Sequence, residues 1–430
     1  MKTALFIMLP STSHFHASFG LARHYQKLGY NIIYTGTIAY KDLIENQGFQ
    51  FHLYKYCTEY FIKTTKGFIA LLLKNLVDPT FLKQRYREFL FEIWALEMLK
   101  TQLNPDQVFI DEHLSEYGLF FENEKTNVIC TKLSSRKADN IPPMNSYFFP
   151  NQSWWSKYYC AWLWYKGWLY KLSKKWLHRF PFLGKDDAYF FERYLCLKGI
   201  NTKEVIDEKN YHFKGIKNLK RVILGTPRLE ISWRPIFDDE SYFLSEITRN
   251  EQKYLSDAYL GLIAQIKNIS HDTDLKVVYC SFGTVAYKDT SRVYEFMKKL
   301  LQVKPDYPNV ILVISKGNLL MTLQTIPKVY YFDFLPQLDF LPHCDLMITH
   351  GGHNSVKECL QFGVPMLVYP NMEDNDQPGN AVRVELNGFG IIGNLQKDSP
   401  AQIWHKITSL LAKKTASTKP LGTPIIDFAK

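Results

Sequence analysis

Short apolar runs rich in β-branched residues constrain this chain more than anything else in it. Eleven stand out: Ala4–Leu9, Asn31–Thr35, Val108–Ile110, Val128–Cys130, Val222–Leu224, Val277–Cys280, Val310–Ile314, Val329–Phe332, Leu346–Thr349, Met366–Tyr369 and Gly390–Ile392. Amphipathic stretches such as Phe19–Leu28, Thr290–Leu301 and Val356–Phe362 lie between many of them. Strands alternating with helices predict parallel sheets assembled from βαβ units. The pattern runs twice, and 430 residues are too many for one ordinary core. Residues 234–274 are rich in charge and poor in periodicity, which suggests a linker. The expectation is an α/β chain of two Rossmann-like, doubly wound parallel-sheet domains facing across a cleft. Residues 1–240 form the first, 241–274 link, and 275–430 form the second.

Charge matters through its distribution. The net charge is +10, yet residues 151–180 alone carry Lys157, Lys166, Lys171, Lys174, Lys175 and Arg179 with no acidic residue, and hold six of the nine Trp. So local an excess argues against a nucleic-acid partner. Within it Trp155, Tyr158, Trp162, Tyr165, Leu169, Leu172 and Trp176 follow a helical 3,4,3,4 spacing. That stripe fits an internal helix burying its apolar side. It also fits an interfacial helix over residues 154–180, with aromatics at headgroup depth and cations toward anionic lipid.

Seven scattered Cys without a CxxC pair read as free thiols of a reducing compartment. The run from Met1 to Leu9 reads as a first buried strand rather than a leader, and no apolar stretch is long enough to span a bilayer. The expected location is the cytoplasm, or the inner face of the membrane.

One segment carries chemistry. The strand Leu346–Thr349 leads through His350, Gly351 and Gly352 to a helix expected from Val356, with Asn354 or Ser355 as its N-cap. Strand, glycine turn and helix N-terminus make an anion site, although glycine pairs and Asn-Ser also serve as plain turn and cap. His350 adds a donor, and Glu358, one turn on, suits ribose hydroxyls. The turn from Ser281 to Thr284 offers a second set of N–H groups and a hydroxyl.

Taken together, Phe334 with Gln337, His350-Gly351-Gly352 with Asn354, Ser355 and Glu358, Gly363 with Pro365, Pro370, Asp376-Gln377 with Asn380 and Ala381, and Arg383 resemble the nucleotide-sugar signature of the UDP-glycosyltransferases, family 1, whose fold is GT-B. The resemblance implies that Phe334 stacks on the base where the family usually has Trp. It implies that His350 and Thr284 meet the diphosphate, Asn354 and Ser355 the α-phosphate, Glu358 the ribose, and Asp376 and Gln377 the donor sugar. The loop from Pro370 to Asp376 is longer than the family's.

The family also places a His seven residues before the Leu of a Leu-Ala pair, and Leu21-Ala22 puts it at His14. His14 is expected in a loop before a helix that starts near Ala17. His16, His24 and His113 are the other histidines near strand ends. Asp111, closing the strand after Pro105, matches the family's partner of the catalytic His, with Glu112 and His113 beside it. The implied activity is inverting transfer of a hexose, glucose by the lean of Gln377, from a UDP-sugar to a hydroxyl of a small or lipophilic acceptor; the alternatives are a non-catalytic nucleotide-sugar-binding partner of another transferase, or another GT-B enzyme such as a lipid-linked sugar transferase. No metal or other cofactor is called for, and neither Asp272/Asp274 nor Asp374/Asp376 reads as a metal site. A Rossmann oxidoreductase would need a GxGxxG after the first strand, which is absent.

Overall fold

The computed structural model describes residues 2–412, less 55–77, 180–186, 208, 214, 234–240, 245–246, 252–254, 270–274, 284–289, 318–324 and 373–374. The chain divides into two compact units. One takes residues 1–143, 151–224 and 237–242; the other takes 144–150, 225–236 and 243–430.

The first unit holds β1 (Thr3–Ile7), α1 (Thr12–Lys27), β2 (Asn31–Gly36), β3 (Gln50–Leu53), α2 (Pro79–Leu103), β4 (Gln107–Asp111), β5 (Thr126–Cys130), α3 (Trp154–Arg179), α4 (Asp187–Leu197), β6 (Lys220–Ile223) and β7 (Ser241–Phe243), whose last residue crosses to the second unit. The sheet order is β3-β2-β1-β4-β5-β6-β7. β1 runs parallel to both neighbours, with Ile7 opposite Thr35 and Ile110. Leu5, Ile7, Val108 and Ile110 pack on Leu96 and Leu99 of α2. On the opposite face Phe6 stacks between Tyr34 and Phe109, each at 4.8 Å. Burial on both faces explains why these strands read as continuous apolar runs.

The second unit holds α5 (Asp257–Ile269), β8 (Lys276–Ser281), α6 (Thr290–Gln302), β9 (Val310–Ser315), β10 (Val329–Phe332), β11 (Leu346–Thr349), α7 (His353–Phe362), β12 (Met366–Val368), α8 (Gln377–Leu386), β13 (Gly390–Ile392) and α9 (Pro400–Ala412). Its sheet, ordered β10-β9-β8-β11-β12-β13, is parallel throughout. Trp404 of α9 is fully buried, stacks on Tyr307 at 4.3 Å and donates to the Leu300 carbonyl at 2.8 Å. Its one polar atom is thus satisfied while the ring fills the core.

Three expectations need adjusting. The stretch 241–274 holds a strand and α5, and 225–236 already belongs to the second unit. The helix after β1 begins at Thr12, so His14 sits in its first turn. On α3 the expected stripe does not face inward: Trp155 is 68% exposed, Tyr158 65%, Trp162 and Tyr165 50%, and Trp176 63%. The helix instead buries Ser156, Cys160 and Trp164, spaced by four, and Trp164 donates to the Ile141 carbonyl at 2.8 Å. Periodicity finds a stripe, but the side chain whose N–H has a carbonyl to meet decides which face goes in.

Candidate active site

β1 and β4 are neighbours, so the chain leaving their C-terminal ends carries His14 and Asp111 to one place. Ser11, with extended backbone, caps α1, and the His14 amide donates to the Ser11 carbonyl at 3.0 Å. His14 Nδ1 lies 2.6 Å from Asp111 Oδ2, and both residues are buried. Asp111 also caps the 3-10 turn Glu112–Phe120: its Oδ1 accepts from the His113 amide at 3.0 Å and from His113 Nδ1 at 2.8 Å. Burial alone would raise this carboxyl, but His14 and His113 outweigh it and hold it well below the usual carboxylate range. Burial pushes the His113 imidazole down to about 4 despite the aspartate beside it.

Glu112, also buried, points away. Its Oε1 accepts from the Thr131 amide at 3.1 Å, and burial raises its carboxyl to about 7 against the pull of Arg221 and Lys132. Its neighbourhood is thus unlike that of Asp111, which settles which of the two acids faces His14. Among the described residues, His14, Asp111 and His113 are also the one grouping of His, Cys, Asp and Glu with ligand atoms close enough to share a metal ion. Their Nδ1 and carboxylate atoms already bond one another, so an ion would have to displace those hydrogen bonds. His16 is not in that grouping.

In the second unit the order reverses around β8, whose flanking strands are β9 and β11. Ligands of such sheets gather at that switch point. Here the turns after β8 and β11 meet. The His350 ring lies between two glycines: a Cβ on Gly283 would come 2.8 Å from its Cε1, and one on Gly352 2.5 Å from its Nε2. Gly283 has φ +78° and Gly351 φ +82°, which an L side chain rarely adopts. His350 Nδ1 is buried without a partner, and burial pushes the imidazole down to about 4. At neutral pH it is an uncharged donor.

α7 starts at His353 with Gly352 as N-cap, three residues earlier than the Asn-Ser pair suggested. Asn354 and Ser355 therefore lie inside its first turn, where backbone N–H groups have no intrahelical acceptor. Gln337 Nε2 donates to Ser355 Oγ at 3.3 Å and to Glu358 Oε2 at 2.6 Å, joining three of the expected donor-site residues. Arg249 completes the group: its guanidinium holds both oxygens of Glu358, and its Nε meets Glu251 at 2.6 Å. Sequence reading missed Arg249, which falls in the presumed linker and belongs to no motif.

Asp376 and Gln377 open α8 and are buried. Asp376 Oδ2 accepts from Asn380 at 2.8 Å, and Asn380 also donates to the Gly351 carbonyl at 2.9 Å. Gln377 Oε1 accepts from the amides of Asn371 and Met372 at 2.8 and 2.9 Å, which ties the long loop to the helix start. Arg383 is a packing residue, buried against Glu230 at 2.9 Å. Phe334 is 45% exposed in the turn after β10. Thr284 lies outside the described residues.

Comparison with known proteins agrees with this geometry. Residues 298–420 match the family described as Erythromycin biosynthesis protein CIII-like, C-terminal domain. A human UDP-glucuronosyltransferase 3A2 is 38% identical over 101 residues, 23% of this chain and 19% of its own length. An uncharacterized UDP-glucosyltransferase of Bacillus subtilis is 33% identical over 122 residues, 28% of this chain and 29% of its own. The matched stretch thus spans less than a third of either relative.

Among solved structures, the glycosyltransferase of kitacinnamycin superposes with a TM-score of 0.64 at 18% identity, covering 96% of this chain and 91% of its own. The spinosyn rhamnosyltransferase SpnG complexed with thymidine diphosphate gives 0.54 at 14% identity, covering 96% and 92%. Two doubly wound parallel-sheet domains of this kind define the GT-B fold. In sequence, the second unit, which carries the glycine-histidine cradle, is similar to UDP-glycosyltransferases.

Proposed function

We propose that this protein transfers a hexose, glucose in the first instance, from a UDP-sugar to a hydroxyl of a small or lipophilic acceptor, with inversion and without a metal. The observation that carries the reading is the buried contact of 2.6 Å between His14 Nδ1 and Asp111 Oδ2. With Nδ1–H committed to the carboxylate, His14 Nε2 is the nitrogen that takes the acceptor's proton. Asp111 stays ionised and stabilises the imidazolium that forms. The acceptor oxygen attacks the anomeric carbon opposite the departing diphosphate. Charge developing on that diphosphate meets the His350 donor and the first-turn amides of α7, preorganised by Gly283 and Gly352. Thr284, Phe334, Gln337, Glu358, Asp376 and Gln377 take the donor roles that the resemblance implies. Phe334 in place of Trp admits thymine as well as uracil, and SpnG has been solved with thymidine diphosphate.

The test is transfer from UDP-glucose, with dTDP-glucose in parallel, to a panel of lipophilic alcohols. Wild type is expected to glycosylate at least one, and His14→Ala to lose at least about 100-fold in kcat. Unchanged transfer by His14→Ala refutes the assigned base.

We further place the reaction in the cytoplasm, at an anionic membrane surface reached through α3. The six cysteines described are free thiols, as a reducing compartment requires. No described helix is long and apolar enough to cross a bilayer. The exposed Trp and Tyr of α3, with cations and no acid on the same helix, complement a lipid interface instead. Wild type should sediment with vesicles containing phosphatidylserine and remain free with neutral ones. Loss of binding in Trp155→Ala/Tyr158→Ala/Trp162→Ala supports the assignment. Wild type that ignores anionic vesicles overturns it.

A further inference from the structure

Asp111 serves two histidines, and only one of them is needed for the reaction as written. We propose that His113, backed by Lys132, is a positioning residue that fixes the orientation of the Asp111 carboxylate for His14. The inference rests on the reading of His14 as the base.

The geometry divides the carboxylate cleanly. Among the described residues, Oδ2 meets His14 alone; Oδ1 takes both the amide and the ring Nδ1 of His113. Two donors from one residue stop the carboxylate from rotating about its last bond. Either contact alone would leave that torsion broad, since rotation about an sp³–sp² bond meets low barriers.

The protonation of His113 follows from its partners. The His113 imidazole, mostly enclosed and kept neutral, has one N–H. An ionised carboxylate oxygen can only accept, so that hydrogen sits on Nδ1 and leaves Nε2 bare. Lys132 Nζ lies 3.4 Å from that Nε2 and can donate to it. The Phe213 ring packs against it at a tilt of 46°, with its centroid 4.0 Å away, and Lys132 also lies over Phe213 at 5.2 Å.

The order is therefore Lys132 to His113 to Asp111, with His14 on the far oxygen. His113 brings a donor to Asp111 without bringing a second positive charge. The carboxylate's full charge remains available to the His14 imidazolium. A protonated partner in the same place would compete for it.

Two substitutions of similar size separate this role from packing. In His113→Asn the amide nitrogen falls where Nδ1 was and can still donate to Asp111. In His113→Gln it reaches the position of Nε2, toward Lys132, and cannot. The expected result is kcat within about threefold of wild type for Asn and about 10–100-fold lower for Gln, the donor KM of both within about twofold. In a His14→Ala background, His113→Gln should cost nothing further, because the residue acts only through His14. Equal losses for Asn and Gln, a Gln variant at the wild-type rate, or the same fall without His14 would overturn the proposal.

Imidazole 1H–15N spectra ask the same question without turnover. Wild-type His113 should be protonated at Nδ1 and bare at Nε2. The His14 Nδ1 proton resonance should weaken in His113→Gln and persist in His113→Asn. A protein with that behaviour but no sugar transfer refutes the transfer reading and keeps the positioning one. A His14 resonance indifferent to His113→Gln refutes the positioning one.

Discussion

Replacing Asp111 by Asn keeps the shape of a fully buried side chain and removes one acceptor. Three donors converge on the carboxylate: the amide and Nδ1 of His113 on one oxygen, and Nδ1 of His14 on the other. The single oxygen of Asn satisfies two of them if it faces His113. Its NH₂ then faces His14 Nδ1, which must become an acceptor. His14 so turned carries its proton on Nε2 and cannot remove one from an alcohol. Losing a charge-assisted hydrogen bond costs about 1.5–3 kcal/mol, or about 10–150-fold at about 1.4 kcal/mol per decade. Losing the base function itself is worth about 10²–10⁴. These overlap rather than add, so kcat should fall by about 10²–10⁴ with the donor KM little changed. Initial rates of UDP release from UDP-glucose, with an acceptor found by the panel, measure it. A fall of less than about fivefold, or an equal fall in a His14→Ala background, would refute the reasoning.

Other substitutions probe the remaining parts. Gly352→Ala places a methyl 2.5 Å from His350 Nε2 at a backbone φ of −60° that alanine adopts freely, so it tests close approach alone. UDP affinity by calorimetry should drop about 10-fold or more, with little change in melting temperature. Arg249→Met leaves Glu358 buried with its main counter-charge gone, which should destabilise the protein by about 3–5 kcal/mol in urea. Adding Glu358→Gln should restore much of that. Glu112 makes a pH-dependent contribution. Its folded carboxyl keeps a proton up to about pH 7 while the unfolded one loses it near 4.5, so stability should fall as pH rises between those values. The fall is about 3 kcal/mol at most. Urea midpoints at pH 5 and 8 should differ less in Glu112→Gln than in wild type.

The α/β class, the two sheets and the donor-site motif were legible in the chain, because parallel strands buried on both faces must be written as short apolar runs. Gly351-Gly352 was legible for a similar reason: a turn that brings backbone next to a ring has few other spellings. His14 and Asp111 could be named from family spacing, although they stand 97 residues apart. Their contact exists because β1 and β4 became neighbours.

Tertiary structure decided what spacing cannot encode. It turned the aromatic stripe of α3 outward, because a helical period has no inside until Trp164 finds the Ile141 carbonyl. It brought Arg249 from an unpatterned segment onto Glu358, 109 residues away. It gave Asp111 a second histidine, since only the capped turn after β4 folds His113 back onto the carboxylate. Local pattern is written in the sequence because each residue meets its own neighbours along an element. The partners of a buried charge are chosen by packing, and packing is known only when the strands have been ordered.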